Sequence, residues 1–306
     1  MNWQLLPQFA VTGLLAGGPI ALMALGLVLI FKSSYIFNFA QGQMMLVGTL
    51  VTWWLAVQME LPLGLAIVLA LLFSALLGLL IERLALRPLT GQPLLTIILM
   101  TLALGQTLQG LALLLFGGSQ RNFPQLFSAA NPYRIVTPLV FNERNITIIL
   151  KQNLVWSFVV AILLVLLVAL FFQFTRTGLA LRAASEDHEL AQGIGLRINR
   201  IFGISWALAG VVATTGGILL ATASGLDLSL SIVVLAAFPA VLLGGLDSIP
   251  GVIAGGLLIG LSQGVVSASS VPIIRNAAEI TPYVVLLLVL MVRPQGLFGA
   301  KRVERI

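Results

Sequence analysis

Long apolar runs broken by short polar stretches organise this chain. Apolar segments lie near residues 8–31, 36–57, 61–81, 94–117, 154–174, 201–223, 232–246, 250–268 and 277–292. They are continuous rather than alternating, and several approach the roughly 20 residues that carry a helix across a bilayer. Within lipid every backbone polar group must be satisfied internally, so continuous runs of this kind predict helices rather than open strands. The 232–246 run is short, and Gly244, Gly245 and Pro250 interrupt the chain at its end. The pattern predicts an all-α integral membrane protein, a polytopic bundle of about eight to nine transmembrane helices. A broken or re-entrant segment is expected near 232–257.

Composition agrees with the pattern. Of 306 residues, 59% are hydrophobic and 8% charged, and the mean hydropathy is +1.09. Soluble domains carry about 25% charged residues. No cysteine is present, which excludes disulfides, cysteine-based metal sites and thiol catalysis. No metal ligand set is read anywhere in the chain. The net charge of +6 does not gather into a basic run dense enough for nucleic acid. The N-terminal run lacks a basic flank before Lys32 and is too long for a signal peptide.

If nine segments cross, Lys32, Arg83, Arg87, Arg176, Arg182, Arg197, Arg200, Arg293, Lys301, Arg302 and Arg305 share one side. Arg121, Arg134, Arg144, Lys151 and Arg275 share the other. The richer side is cytoplasmic by the positive-inside bias. This orientation puts the N-terminus outside and the C-terminus inside a plasma (bacterial inner) membrane. Residues 1–306 read as one membrane domain. The 118–153 stretch is its longest outer loop, and apolar-polar alternation near 135–150 predicts a small hairpin. That loop can dock an external binding protein or simply cap the span ends.

The spans hold few charges. Glu279 lies near the outer end of its segment, with Arg275 four residues earlier, a spacing for a local ion pair. Proton-coupled carriers keep intramembrane Asp, Glu or His, so a stand-alone secondary carrier is disfavoured. His188 lies in a polar loop and reads as solvated. Lys32-Ser33 follows Phe31 rather than glycine, so no nucleotide-binding loop is present. No second mid-span Asp pairs with Asp247, and no Ser/His couple lies in the spans, which argues against intramembrane proteolysis. No catalytic residue is therefore predicted.

Neutral amides do occur at helical spacing: Asn38 and Gln41 with Gln43 close by, and Gln106 with Gln109. Such groups avoid lipid. They either line a path for a small polar solute, the reading favoured for Asn38 and Gln41, or hold helices together, the reading favoured for Gln106. Glycine forms two stripes, Gly256, Gly260, Gly264 and Gly251, Gly255, and Gly13 with Gly17 repeats the spacing. These flat faces predict close helix packing.

Residues 175–200 crowd three acids and four arginines between two apolar runs. In Ala183–Gly195, Leu190, Ala191 and Ile194 are predicted on one helical face, Glu186, Asp187 and Glu189 toward the other, with Gly193 and Gly195 ending the helix. A polar helix held between spans suits a knob in the groove of a soluble partner.

Five segments together resemble the permease subunits of branched-chain amino acid ABC importers of the LIV-H type. They are Asn38–Gly42 (NFAQG), Ile81–Leu89 (IERLALRPL), Arg182–Arg200, Val241–Gly256 (VLLGGLDSIPGVIAGG) and Arg293–Gly299 (RPQGLFG). The chain is similar to the family from near residue 10 to 300, and departs from it at Gln41, commonly His, and Asp247, commonly Gly. The resemblance implies a permease moving branched-chain or other neutral amino acids inward. Its partners would be a second homologous permease, two cytoplasmic ABC ATPases, an extracytoplasmic amino-acid-binding protein and membrane lipid. ATP would be used by the ATPases, and this chain would bind no cofactor. The resemblance further implies that Arg182, Glu186, Asp187, Leu190, Ala191, Gly193 and Gly195 couple to the ATPase. Asn38, Gln41, Gln43 and Gln106 would lie at the translocation path, and Gly244, Gly245, Ser248, Pro250 and Gly251 would form a glycine-rich hinge. Urea and short-amide importers use closely related permeases and remain the alternative.

Overall fold

A computed structural model describes residues 5–89, 91–127, 132–141, 144–186, 188–246 and 248–299. All nine apolar segments are helical. Helix α1 is Leu6–Ser34 and α2 is Gln41–Trp53, which continues as a π-helical turn to Gln58. Helix α3 is Leu63–Leu80, extended by π and 3₁₀ turns to Leu89, and α4 is Leu94–Phe116. A hairpin of β1 (Tyr133–Phe141) and β2 (Arg144–Leu150) precedes α5 (Gln152–Phe174). Two short helices come next, α6 (Arg176–Glu186) and α7 (His188–Gly193), then α8 (Ile198–Ser224). A 3₁₀ stretch, Leu228–Ala236, runs into α9 (Ala237–Gly244). The chain then forms α10 (Ile249–Ser267), α11 (Pro272–Asn276) and α12 (Thr281–Val292).

The all-helical bundle stands as read, with fewer helices that are by themselves long and apolar enough to cross than the eight to nine expected. Among the described residues six helices are long and apolar enough to span: Leu6–Ser34, Leu63–Leu89, Leu94–Phe116, Gln152–Phe174, Ile198–Ser224 and Ile249–Ser267. A seventh is reached if the pair Pro272–Glu279 and Thr281–Val292, bent by 74°, is one span. Leu228–Gly244 is apolar but short, in keeping with the broken segment expected there. The α2 run falls outside the count because it carries Gln41, Gln43, Thr49 and Thr52. Most of α2 is buried, packed on α3, α4 and α8. A helix surrounded by helices needs less hydrophobicity than one facing lipid.

The bend before α12 has a local cause. Pro282 lies in the first turn of α12, and a 3₁₀ turn covers Ala277–Glu279. That turn also undoes the pairing expected of Arg275 and Glu279, which make no ion pair among the described residues. With three residues per turn, positions four apart no longer share a face.

The chain folds as two compact units. One comprises Met1–Ala21, Gln125–Ile162 and Ala236–Ile306, the other Leu22–Pro124 and Leu163–Leu235. In the second unit α3 turns Ala66, Ala70, Ser74 and Gly78 inward, a small-residue stripe at four-residue spacing. Ser74 Oγ there accepts a 2.6 Å hydrogen bond from Thr214 Oγ1 of α8. Trp206, Met44, Ile30 and Leu108 build the core alongside.

In the first unit the glycine stripes pack as predicted. A Cβ on Gly13 would lie 2.5 Å from the Gly260 carbonyl oxygen, and one on Gly17 would lie 2.7 Å from that of Gly256. The Gly251–Gly255 stripe meets α9, at Gly244 and Ala240. The predicted hairpin is present: Tyr133 pairs with Leu150 and Phe141 with Arg144. Its register shifts between Val136 and Val140, across Pro138, which has no N–H to give the ladder. The Gln8 amide donates to Ile149 O and accepts from Ile149 N, both at 2.6 Å, tying the N-terminal helix to β2.

Candidate functional site

The polar segment is held by its own chemistry. Thr175 Oγ1 accepts from Gly178 N at 2.9 Å, capping the start of α6 where the chain leaves α5. Leu181 and Ala184 are buried, Arg182 Nη2 donates to Gln173 O at 3.2 Å, and Tyr35 Oη donates to Ser185 O at 2.5 Å. At the far end Leu196 N bonds Ala191 O at 3.0 Å and Gly195 N bonds Gln192 O at 2.9 Å. This pair of bonds is a Schellman motif, with Gly195 at φ +88°. Gly193 lies inside the last turn instead, so of the two predicted stops Gly195 is the operative one.

The predicted apolar face divides. Ala191 is buried, whereas Leu190 and Ile194, one turn apart, are 70% and 77% exposed. Glu186 is exposed on the same segment. Asp187 lies outside the described residues, as do the side chains of His188 and Glu189. The segment thus carries two outward apolar residues on a short helix anchored through its small ones. An alanine at Gly195 would have to adopt a left-handed backbone, at a cost of about 1–2 kcal/mol. Gly195→Ala should therefore loosen residues 188–196, read as faster amide exchange there with the spans unchanged.

Sequence reasoning missed a neighbour of this segment. Glu82 is 2% exposed and receives Arg87 twice, Nη2 to Oε2 at 2.8 Å and Nε to Oε1 at 3.1 Å. Arg87 Nη2 also reaches Asn199 O at 3.4 Å, so the pair ties the loop after α3 to the start of α8. The only available signal was the five-residue spacing in the IERLALRPL stretch. A cleft of about 790 Å³ opens between these elements. Leu76, Leu79 and Leu80 line one end, and Arg83, Arg197 and Arg200 lie nearer the loop. A second cleft of about 400 Å³ shares Arg197 and Arg200 and adds Arg176.

The amides expected at a solute path are placed differently from one another. Asn38 and Gln41 are each 0% exposed, and Asn38 Nδ2 donates to Gln41 Oε1 at 2.9 Å. Asn38 Oδ1 accepts from Ala40 N at 3.0 Å, and Gln41 Nε2 donates to Ala209 O at 3.3 Å. Gln43 keeps a buried Oε1 that finds no hydrogen-bond partner among the described residues, close to Gly105 of α4. Gln106 is exposed and joins none of them.

The glycine-rich signature and the closing motif, separate in sequence, meet in space. Ser248 Oγ accepts from Gly251 N at 3.0 Å, capping α10, and Pro250 occupies its first turn. Gly245 has φ +95°, and Leu297 N bonds Leu243 O at 2.7 Å. A Cβ on Gly245 would lie 2.7 Å from Gly299 N. Asp247 lies outside the described residues.

The chain is similar to known proteins over nearly its whole length. A family model described as "Branched-chain amino acid transport system / permease component" matches residues 9–292. The chain is 27% identical to the high-affinity branched-chain amino acid transport system permease protein LivH of Escherichia coli (strain K12). That match covers 98% of this chain and 97% of LivH. It is also 27% identical to BraD of Pseudomonas aeruginosa, a permease protein of the same description, over 98% and 97% of the two chains. A probable branched-chain amino acid transport permease protein LivH of Methanocaldococcus jannaschii is 28% identical over 94% of this chain and 91% of its own.

Proposed function

Because the chain belongs to the family of branched-chain amino acid transport permease components, a set of multi-pass inner-membrane permease subunits of ABC transporters, we propose that it moves branched-chain or other neutral amino acids inward. The energy would come from two cytoplasmic ATPases, and a second homologous permease would complete the path. An extracytoplasmic binding protein would deliver the solute. The N-terminus would face outside and the C-terminus the cytoplasm.

The family match carries the permease reading, and one structural observation supports the coupling part. Leu190 and Ile194 stand outward on a polar segment whose small residues are anchored inward. Exposed apolar side chains there would serve as the knob for an ATPase groove, with Glu186 and Asp187 as its charged rim. Arg182 would position that knob through its bond to Gln173 O. Asn38 and Gln41, with Gln43 and Gln106, would bear on the path. Gly244, Gly245, Ser248, Pro250 and Gly251 would form the turn that moves with α10.

The test is radiolabelled leucine uptake in a strain lacking this chain, complemented with wild type or with Glu186→Lys and Asp187→Lys together. Reversing charges in a paired interface costs several kcal/mol, so uptake should fall more than about tenfold while membrane levels stay normal. Unlabelled alanine and proline should compete and urea should not. Normal uptake by the variant would remove the coupling assignment, and competition by urea alone would move the substrate to amides.

A further inference from the structure

Beyond its own pair with Arg87, Glu82 leaves the cleft beside α3 with an excess of positive charge. Arg83, Arg197 and Arg200 line it, are exposed, and make no ion pair among the described residues. Arg197 occupies the N-cap position of α8 and Arg200 lies in its first turn, where no acid is present. The helix dipole opposes cations at that end, so these guanidinium groups gain from an anion supplied from outside.

The floor of the same cleft is apolar and does not stop at its rim. Leu65, Leu69, Leu72, Leu76 and Leu80 repeat three and four apart along α3, and all five are exposed. Leu76 and Leu80 belong to both the stripe and the cleft. The helix is long and apolar enough to span, so an exposed leucine stripe on it suits hydrocarbon, and Arg83 follows directly where that stripe ends. We propose that the cleft seats one anionic phospholipid, with an acyl chain along the leucine stripe and its phosphate at Arg83, Arg197 and Arg200. Basic pockets at helix ends suit anionic headgroups, and guanidinium matches phosphate geometry. An acidic protein segment would satisfy the arginines but would leave unexplained why the floor continues down α3. The inference rests on the membrane-spanning fold and is independent of which solute is carried.

The experiment uses the full chain purified in mild detergent with whatever subunits accompany it. Phosphatidylglycerol, phosphatidylcholine or inorganic phosphate is added, with retained lipid read by native mass spectrometry and unfolding by thermal midpoint. Phosphatidylglycerol should be retained and raise the midpoint, whereas phosphatidylcholine and phosphate should not. Each basic residue near a headgroup contributes about one power of ten or slightly less to anionic-lipid affinity. Arg83→Gln, Arg197→Gln and Arg200→Gln together should therefore weaken retention roughly a hundredfold, and the matching lysine triple should keep most of it. If the glutamine triple fails to accumulate, wild type against the lysine triple and the three added probes still decides. Equal retention by the glutamine triple, an equal response to inorganic phosphate, or crosslinking of Leu76→Cys to a polypeptide would overturn the proposal.

Discussion

Gly256→Leu with Gly260→Leu should abolish accumulation of the folded protein in the membrane. A Cβ added at Gly256 would already sit 2.5 Å from the Ala21 Cβ, and Gly260 abuts the backbone of Gly13 and Gly17. Leucine needs far more room than one methyl, so the two helices would have to separate along the whole stripe. In lipid no hydrophobic gain returns the lost contact, because acyl chains are as apolar as leucine. What holds such helices is close van der Waals packing, and a gap of even 0.5–1 Å forfeits a quarter to a half of each contact. Losses exceeding about 4–5 kcal/mol are expected, against a total stability of about 5–15 kcal/mol. Membrane levels by immunoblot and thermal stability in detergent measure the effect. Wild-type levels and stability would remove the packing role.

Asn38→Leu should be the next most damaging change, by about 2–6 kcal/mol. It strands two buried groups at once, the Ala40 N–H and the Gln41 Oε1, each worth about 1–3 kcal/mol when left unpaired. Gln41→Leu should cost less than that, and the double variant less than the sum, since Asn38 and Gln41 satisfy one another. Thermal midpoints of the four proteins measure the coupling. A structural node predicts lost stability with an unchanged order of competitors in leucine uptake. Unchanged stability with an altered competitor order would instead make the two amides solute ligands.

The hydrophobic pattern located every long apolar helix, because length and continuity suffice to find them, but not the short α11 between two of the runs. It counted the 36–57 run among the crossings, whereas α2 there carries Gln41, Gln43, Thr49 and Thr52, falls below the apolar character of the six long spans and is mostly buried by other helices. Glycine spacing foresaw both faces of α10, since a missing side chain means the same thing wherever it occurs. The α3 stripe of Ala66, Ala70, Ser74 and Gly78 escaped notice because small residues of mixed kind carry less contrast. On the polar segment the error was rotational. Leu190, Ala191 and Ile194 all count as apolar, but only the smallest fits against the anchoring elements. The meeting of Leu243 with Leu297 depends on long-range topology, which no local spacing reports.

The two glycine faces of α10 leave little freedom to that helix. Between them, at about 100° per residue, stand Val252 and Ile259, both fully buried. Rolling the helix either way would drive these branched side chains toward the backbone of α9 or α1, while along its axis the two faces present glycine to Ala21, Gly13 and Gly17 on one side and to Ala240 and Gly244 on the other. Rotation of α10 is therefore more hindered than translation, and any displacement of it would be taken up at its two ends, the turn at Gly245 and the bend before α12.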